Sequence, residues 1–176
     1  MSNLIERAVR AAKLDASVYE EVEADKSALG QAMAVVVVSS LAAGIGQAAM
    51  GGVLGLVVGT VGALAGWYIW AFLIYLIGAK LLPEPQTDAD VGQLLRTIGF
   101  SSAPGVFQVL GIIPVFGTIV FFAVAIWMIA AMVVAVRQAL DYQSTGRAVG
   151  VCVIGWVVQA AVFLLIIRTL GIHTGP

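Results

Sequence analysis

The sequence has little charge, one cysteine and one histidine, and each shortage excludes a class of protein. Only 11% of its 176 residues are charged, whereas 61% are hydrophobic and the mean hydropathy is +1.03. Soluble domains usually contain about 25% charged and about 45–50% apolar residues. The chain is therefore too apolar to be an ordinary soluble enzyme or a disordered segment. A single cysteine also excludes a disulfide framework and a multi-cysteine metal site.

Basic residues and catalytic motifs are scarce as well. Nine Lys and Arg against ten Asp and Glu, with a pI near 5.7, give no positive field for a phosphate backbone. Nucleic acid is therefore not an expected partner. The sequence contains no HExxH and no GxSxG pattern, and no paired carboxylates interrupt the apolar runs. These absences predict a protein that is not an enzyme and has no catalytic residue, metal or cofactor.

The charges that are present divide the chain into apolar runs. They cluster in 1–26, 80–96 and 137–147, with Arg168 alone near the end, and leave 27–79, 97–136 and 148–167 uncharged. One helix needs about 20 apolar residues to cross a bilayer, so these runs predict two, two and one spans. Gly51-Gly52 and Pro114 divide the two longer runs. We therefore predict an all-α polytopic membrane protein, a compact bundle of five transmembrane helices within 27–170, at about 28–49, 53–79, 92–113, 116–138 and 147–169.

The basic residues predict the orientation of this bundle. A cytoplasmic N-terminus places eight of the nine bases inside, namely Arg7, Arg10, Lys13, Lys26, Lys80, Arg96, Arg137 and Arg147. The third predicted helix has Arg96 at its cytoplasmic end, where the side chain is expected to snorkel toward water. Arg168 then lies outside, beside a short non-cytoplasmic tail at 171–176.

The segment 1–26 predicts an amphipathic cytoplasmic helix. Its apolar residues share one face at helical spacing, namely Leu4, Ile5, Ala8, Val9 and Ala12. Such a helix either packs on the bundle and lies at the lipid headgroups, or docks a cytoplasmic partner. Both readings make the bilayer or a protein the partner of this segment.

Glycines recur along the second predicted helix. Gly51, Gly55, Gly59, Gly62 and Gly66 are spaced by three or four residues and so share one face. In lipid, small residues allow the backbones of two helices to approach closely. We predict that this face packs against the first helix of the same chain, with homo-oligomerisation as the alternative.

Polar and aromatic residues within the apolar runs give two further functional alternatives. The runs carry no ionisable group of the kind that ion transport requires. Permeation of a small neutral or apolar solute is an alternative that rests on Gln47, Ser101, Ser102, Gln108 and Gln159. A role as accessory subunit of a larger membrane complex is an alternative that rests on aromatic residues of the second helix, Trp67, Tyr68, Trp70 and Tyr75.

The loop between the last two predicted helices carries opposite charges. Arg137 ends the fourth helix, Arg147 begins the fifth, and Asp141 lies between them. An arginine near a helix C-terminus complements the helix dipole. We predict that Asp141 pairs with one of the arginines as a structural clasp. The alternative is a surface for a lipid phosphate or a protein partner, with Lys80 and Arg96 on the same side.

Two motifs within 94–156, Gly99-Phe100 followed by Pro104 and Asp141 with 144–147, give this stretch a resemblance to the bacterial branch of the YIP family, the Ypt/Rab-interacting membrane-domain proteins. The first motif resembles the family's glycine-aromatic element leading to proline, and the second resembles the bacterial loop between spans four and five. The Asp-Leu-Tyr-Gly-Pro element of eukaryotic members is absent, so Rab binding is not implied. The resemblance implies five spans, a cytoplasmic N-terminus and a membrane-organising or partner-binding scaffold in a bacterial cytoplasmic membrane.

Overall fold

The computed structural model describes residues 3–47, 52–113 and 116–169, and all its regular elements within them are helical. Two short helices, α1 (Leu4–Ala12) and α2 (Ala16–Ala24), precede the bundle. The bundle contains α3 (Leu29–Gly46), α4 (Gly52–Ile74), α5 (Val91–Ser101), α6 (Gly117–Ala139) and α7 (Thr145–Thr169). A 3-10 turn (Lys26–Ala28) leads into α3, a π-helical end (Tyr75–Leu81) extends α4, and a 3-10 helix (Ala103–Ile112) follows α5. Gly51 and the predicted tail at 171–176 lie outside the described residues.

Four stretches of this chain are long and apolar enough to cross a membrane, as judged within the described residues. They are Lys26–Gly46, Gly52–Leu81, Gly117–Ala139 and Thr145–Val162. The prediction of five spanning helices is therefore wrong. The stretch predicted as a helix at 92–113 is divided at Ser102 into α5 and the 3-10 helix. Pro104 explains the division, because proline has no N–H donor and its ring obstructs an α-helical ladder.

The divided segment runs beside α3 in the same direction. Successive glycines of the segment lie against successive residues of α3, which pair as Gly99 with Ala32, Gly105 with Ser39, and Gly111 with Gly46. A Cβ at Gly46 would lie 1.8 Å from the backbone oxygen of Gln108, so only glycine fits at this crossing. The segment therefore accompanies α3 from near its start to its end.

The best-packed part of the bundle lies at the end where α3, α5 and α7 begin, which we call the capped end. The Tyr142 hydroxyl donates to the carbonyls of Gly78 and Leu82, at 2.9 and 2.7 Å, and so joins the α6–α7 loop to the end of α4. Two buried apolar clusters lie in this half, one among α4, α5, α6 and α7 and one where α2 packs on α3, α5 and α6. The opposite half exposes most of its apolar side chains, as a lipid-embedded bundle does.

Candidate functional site

The capped end is closed by α2, which Arg96 holds against α5. The Arg96 side chain is 6% exposed, and its guanidinium donates from Nε to the Val22 carbonyl at 2.9 Å and from Nη2 to the Glu23 carbonyl. These carbonyls belong to the last turn of α2, where no intrahelical donor reaches them, and a cation there is favoured by the helix dipole. The prediction that Arg96 snorkels toward water is wrong, because the side chain is buried and its guanidinium donates to carbonyls of another helix.

Ion pairs hold α1 against the following turn and helix. Arg7 pairs with Glu21 and Asp25 at 2.9 and 2.8 Å, and Arg10 pairs with Asp15 and Glu21 at 2.9 and 2.7 Å. Hydrogen bonds from Ser17 and from the Arg10 guanidinium lower the pKa of Asp15 to about 2. Both arginines of α1 therefore direct their charge toward neighbouring parts of the chain.

The apolar residues of α1 face outward over a groove. Ile5 is 72% exposed and Val9 is 47% exposed. The groove has a volume of about 390 Å³, and α1 forms one wall while α3, the 3-10 helix and α6 form the others. Trp127 of α6 fixes the C-terminus of α1, because its indole N–H donates to the Ala12 carbonyl at 2.7 Å. All five residues of the predicted apolar face line this groove, namely Leu4, Ile5, Ala8, Val9 and Ala12.

Acidic side chains gather beside the α2–α5 contact. Burial and repulsion from Asp141, Glu20 and Asp90 together raise the pKa of Glu23 to about 7, while the charge of Arg96 opposes the shift. Gln93 donates to a Glu23 carboxyl oxygen at 3.2 Å. This carboxyl therefore changes charge near neutral pH, at the junction that fastens α2 to the bundle.

The loop residues Arg137, Asp141 and Arg147 form a clasp of a different kind from the one predicted. Among the described residues, no ion pair joins Asp141 to either arginine. Arg137 instead donates to the carbonyls of Tyr142 and Gln143, each at 3.1 Å, and Arg147 donates to the Leu82 and Pro83 carbonyls at 3.2 and 3.1 Å. Asp141 occupies the left-handed position that ends α6, with φ of 53°. The pattern of charges in the sequence does not show that Asp141 ends α6 through its backbone conformation.

The predicted glycine face is open over much of its length. An added Cβ at Gly59, Gly62 or Gly66 would meet nothing within 4 Å. Gly55 is half-buried, and Gly51 lies outside the described residues. The close packing predicted for this face is therefore not present at three of its five positions. Contact between α3 and α4 uses other residues, such as Gly44 against Leu56.

The Gly99, Phe100 and Pro104 element lies in the contact between α5 and α3. A Cβ at Gly99 would lie 2.7 Å from the Cβ of Ala32, so the two helices touch there. Phe100 is fully buried beneath α2, and Pro104 is buried at the start of the 3-10 helix. These residues determine how closely the divided segment approaches α3 and in which direction it runs.

A second cavity lies within the membrane-spanning half of the bundle. It has a volume of about 330 Å³ and is bounded by α3, α4, α6, α7 and the divided segment. It brings together Ser102, Gln108 and Gln159, which were predicted as polar residues of a solute path, but not Ser101 or Gln47. Permeation of a neutral solute stays a prediction, because a cavity alone is not a path.

The aromatic residues of α4 are divided between this cavity and the surface. Trp67 and Trp70 line the cavity, and their indole N–H groups donate to the Leu95 carbonyl at 3.1 Å and to Met132 Sδ at 3.3 Å. Tyr68 is exposed, and the Lys80 ammonium lies 5.1 Å from the centre of the Tyr75 ring. A role as accessory subunit held through these residues stays a prediction, with Tyr68 the residue still available for it.

The Yip1 domain model matches residues 16–171, which cover most of the chain from the first residue of α2 onward. No curated protein and no solved structure matches the chain.

Proposed function

The chain is an integral membrane protein of the Yip1 domain family, and we propose that it is a non-enzymatic scaffold that organises the bilayer around it. The prediction of a multi-pass helical protein of the YIP family is confirmed. The finer parts of the proposal are a place in the bacterial branch and a capped end that faces the cytoplasm of a bacterial membrane.

The distribution of basic residues supports this orientation. Eight bases lie in α1, in α5 or at the helix ends that form the capped end, and Arg168 lies at the far end of α7. Lysine and arginine accumulate on the cytoplasmic side of membrane proteins. The divided segment runs the length of α3 between the end of α4 and the start of α6, so the described part of the chain passes along the bundle five times, four of them as long apolar helices. We therefore place the C-terminal tail on the side opposite to the capped end.

The observation that carries the proposal is the arrangement of α1. Its arginines are paired with acids, whereas Ile5 and Val9 stay exposed along the open groove between α1 and the bundle. A helix held on a soluble surface would bury these apolar residues, whereas a helix in the bilayer interface buries them about 5–10 Å into the acyl boundary. In this position α1 occupies space in one leaflet only, and the ion pairs keep it attached to the bundle.

Insertion into one leaflet favours curved or locally thinned membrane, and this effect gives the test. The full chain is reconstituted into vesicles of about 100 nm, and their shape is imaged by electron cryomicroscopy. We expect narrower vesicles or tubules with the wild type and a return toward the protein-free size distribution with Ile5→Gln combined with Val9→Gln. Val53→Gln with Leu54→Gln is the matched control, because it removes exposed apolar surface at the far end of α4.

The outcomes separate this proposal from its alternatives. Vesicles that keep the protein-free shape with the wild type would overturn it, and so would an equal loss of remodelling in the Val53, Leu54 control. Stoichiometric capture of a cytoplasmic protein without any effect on vesicle shape would favour the partner-binding scaffold instead. Homo-oligomerisation through the open glycines of α4 would appear as a dimer that Gly62→Leu disrupts.

A further inference from the structure

We infer that the cavity between α3, α4, α6, α7 and the divided segment binds an uncharged, ring-bearing amphiphile taken from the bilayer. This inference goes beyond the proposed function, because the cavity lies apart from α1. We call it the tryptophan pocket and define it by Trp67, Trp70, Trp156, Gln108 and Gln159.

Two amides in this pocket lack a hydrogen-bond partner of their own. Among the described residues, the Gln159 side chain makes no hydrogen bond, and it lies within the spanning part of α7. The Gln108 amide N–H reaches only Met128 Sδ, at 3.8 Å, and its oxygen accepts nothing within the described chain. An unpaired amide is strongly unfavourable in hydrocarbon. The two side chains therefore provide donors and acceptors for a group that enters the pocket.

Four of the other polar side chains of the pocket are already paired, whereas the Ser102 hydroxyl and the Trp156 indole N–H make no hydrogen bond among the described residues. Ser39 donates to the Ser102 carbonyl at 2.7 Å, and Ser40 donates to the Val37 carbonyl at 2.8 Å. Trp67 and Trp70 donate to the Leu95 carbonyl and to a methionine sulfur. The two glutamines, with the Ser102 hydroxyl and the Trp156 N–H, thus decide where the polar atoms of a ligand would lie.

The other side chains that line the pocket favour a ligand with a flat apolar ring. The rings of Trp70 and Trp156 are stacked, with centroids 6.1 Å apart and planes 22° apart, and Met128 and Met132 lie in the same lining. Indole faces and thioether sulfurs both favour contact with aromatic or conjugated rings. No charged residue is among the described residues that line the pocket, so an ionic ligand would be left without a counter-charge.

The size and opening of the pocket restrict the ligand further. A volume of about 330 Å³ is at the small end for ligand pockets, which suits a single substituted ring and not a whole phospholipid. Trp156 is exposed on α7, so the pocket opens sideways into the bilayer. The chemical class that meets these conditions is a neutral ring with carbonyl or hydroxyl oxygens, such as a membrane-soluble benzoquinone.

The test uses the full chain in phospholipid nanodiscs and a short-chain benzoquinone as the probe. Quinones quench indole fluorescence, and three of the four tryptophans line the pocket. We expect a saturable phase of quenching above the linear phase that partitioning into lipid produces. Replacing both Gln108 and Gln159 by leucine removes two hydrogen bonds, each of which contributes about 2- to 10-fold in affinity. We therefore expect the saturable phase to weaken by roughly 4- to 100-fold, whereas Gln47→Leu, outside this lining, leaves it within about twofold.

A second pair of variants tests the pocket by filling it. Gly66 lines the pocket and an added Cβ there meets nothing within 4 Å, so Gly66→Phe places a ring in the cavity and abolishes saturable quenching. Gly59 is equally open but lies outside the lining, so Gly59→Phe retains it. If Gly66→Phe does not fold, as judged by circular dichroism, the inference is tested by the double leucine variant of Gln108 and Gln159 alone.

Three results would overturn the inference. The first is quenching by the wild type that is linear at all probe concentrations. The second is a double glutamine variant that binds as tightly as the wild type. The third is displacement of the probe by a saturated fatty alcohol at the same concentration, which would show that any acyl chain fills the pocket.

Discussion

Replacement of Arg96 is expected to release α2 from the bundle without unfolding it. Arg96→Met keeps a long apolar side chain and a good helix former in α5, but it leaves the carbonyls of Val22 and Glu23 without their donor. A buried acceptor without a partner costs about 1–3 kcal/mol. Loss of a cation at a helix C-terminus costs about 0.3–1 kcal/mol more.

For two acceptors these losses sum to about 2–7 kcal/mol, and a value of about 3 kcal/mol, in the lower part of this range, corresponds to roughly a 100-fold rise in the population of the undocked state. Hydrogen exchange of full-length protein in nanodiscs, read by mass spectrometry, measures this population peptide by peptide. We expect amides of 16–24 to exchange about 100-fold faster, with little change in α4, α6 or α7. Arg96→Lys keeps the charge but reaches fewer acceptors, so its effect should be intermediate.

Arg137→Met is the matched control for the loss of an arginine at the capped end. Its guanidinium also donates to backbone carbonyls, but these belong to the α6–α7 loop. It should leave exchange of 16–24 within about threefold of the wild type. An Arg96→Met protein whose α2 exchanges like the wild type, or an Arg137→Met protein that loosens α2 equally, would refute the reasoning.

Three further substitutions should change the free energy of unfolding, one lowering it and two raising it, as measured by thermal unfolding followed by circular dichroism. Gly99→Ala should lower stability by about 1–3 kcal/mol, because the new Cβ meets Ala32 at 2.7 Å, whereas Gly59→Ala, with open space around it, should raise it by up to about 1 kcal/mol. Asp141→Gly should raise stability by about 1 kcal/mol, because a left-handed residue with φ of 53° is relieved; a lower melting temperature would contradict this. For Glu23, the pKa in the folded protein is about 7, above its ordinary value of 4.5, so the folded state binds the proton more tightly. Stability should therefore fall as the pH rises from about 4.5 through 7, and Glu23→Gln should remove this dependence; an unchanged pH profile in the variant would show that another group titrates.

Hydropathy and charge together predicted most of the architecture, because lipid allows only a narrow set of spanning structures. The runs predicted at 28–49, 53–79, 116–138 and 147–169 overlap α3, α4, α6 and α7. The stretch at 92–113 was apolar enough to be predicted as a further spanning helix. Pro104 was the residue in the sequence that indicated its division. The extent of the 3-10 helix depends on close contacts with α3, which no local pattern shows.

The functional residues were harder to predict, because their roles depend on partners distant in the chain. Arg96 reaches carbonyls of α2, and Trp127 reaches the end of α1 across 115 residues. The charge pattern identified Arg137, Asp141 and Arg147 as a loop cluster, but it could not show that backbone carbonyls were the acceptors. The glycine spacing was real, yet the face it marks is largely open.

The position of α1 in one leaflet is the central claim, and collision accessibility of spin labels measures it directly. Nitroxides are attached to single cysteines at Ile5, Val9 and Glu6 in a Cys152→Ala protein, reconstituted in bilayers. The account predicts that labels at Ile5 and Val9 collide preferentially with oxygen, which concentrates in lipid, while the label at Glu6 collides with a water-soluble nickel complex. Equal access of the nickel complex to all three labels would place α1 in water and contradict the proposed insertion.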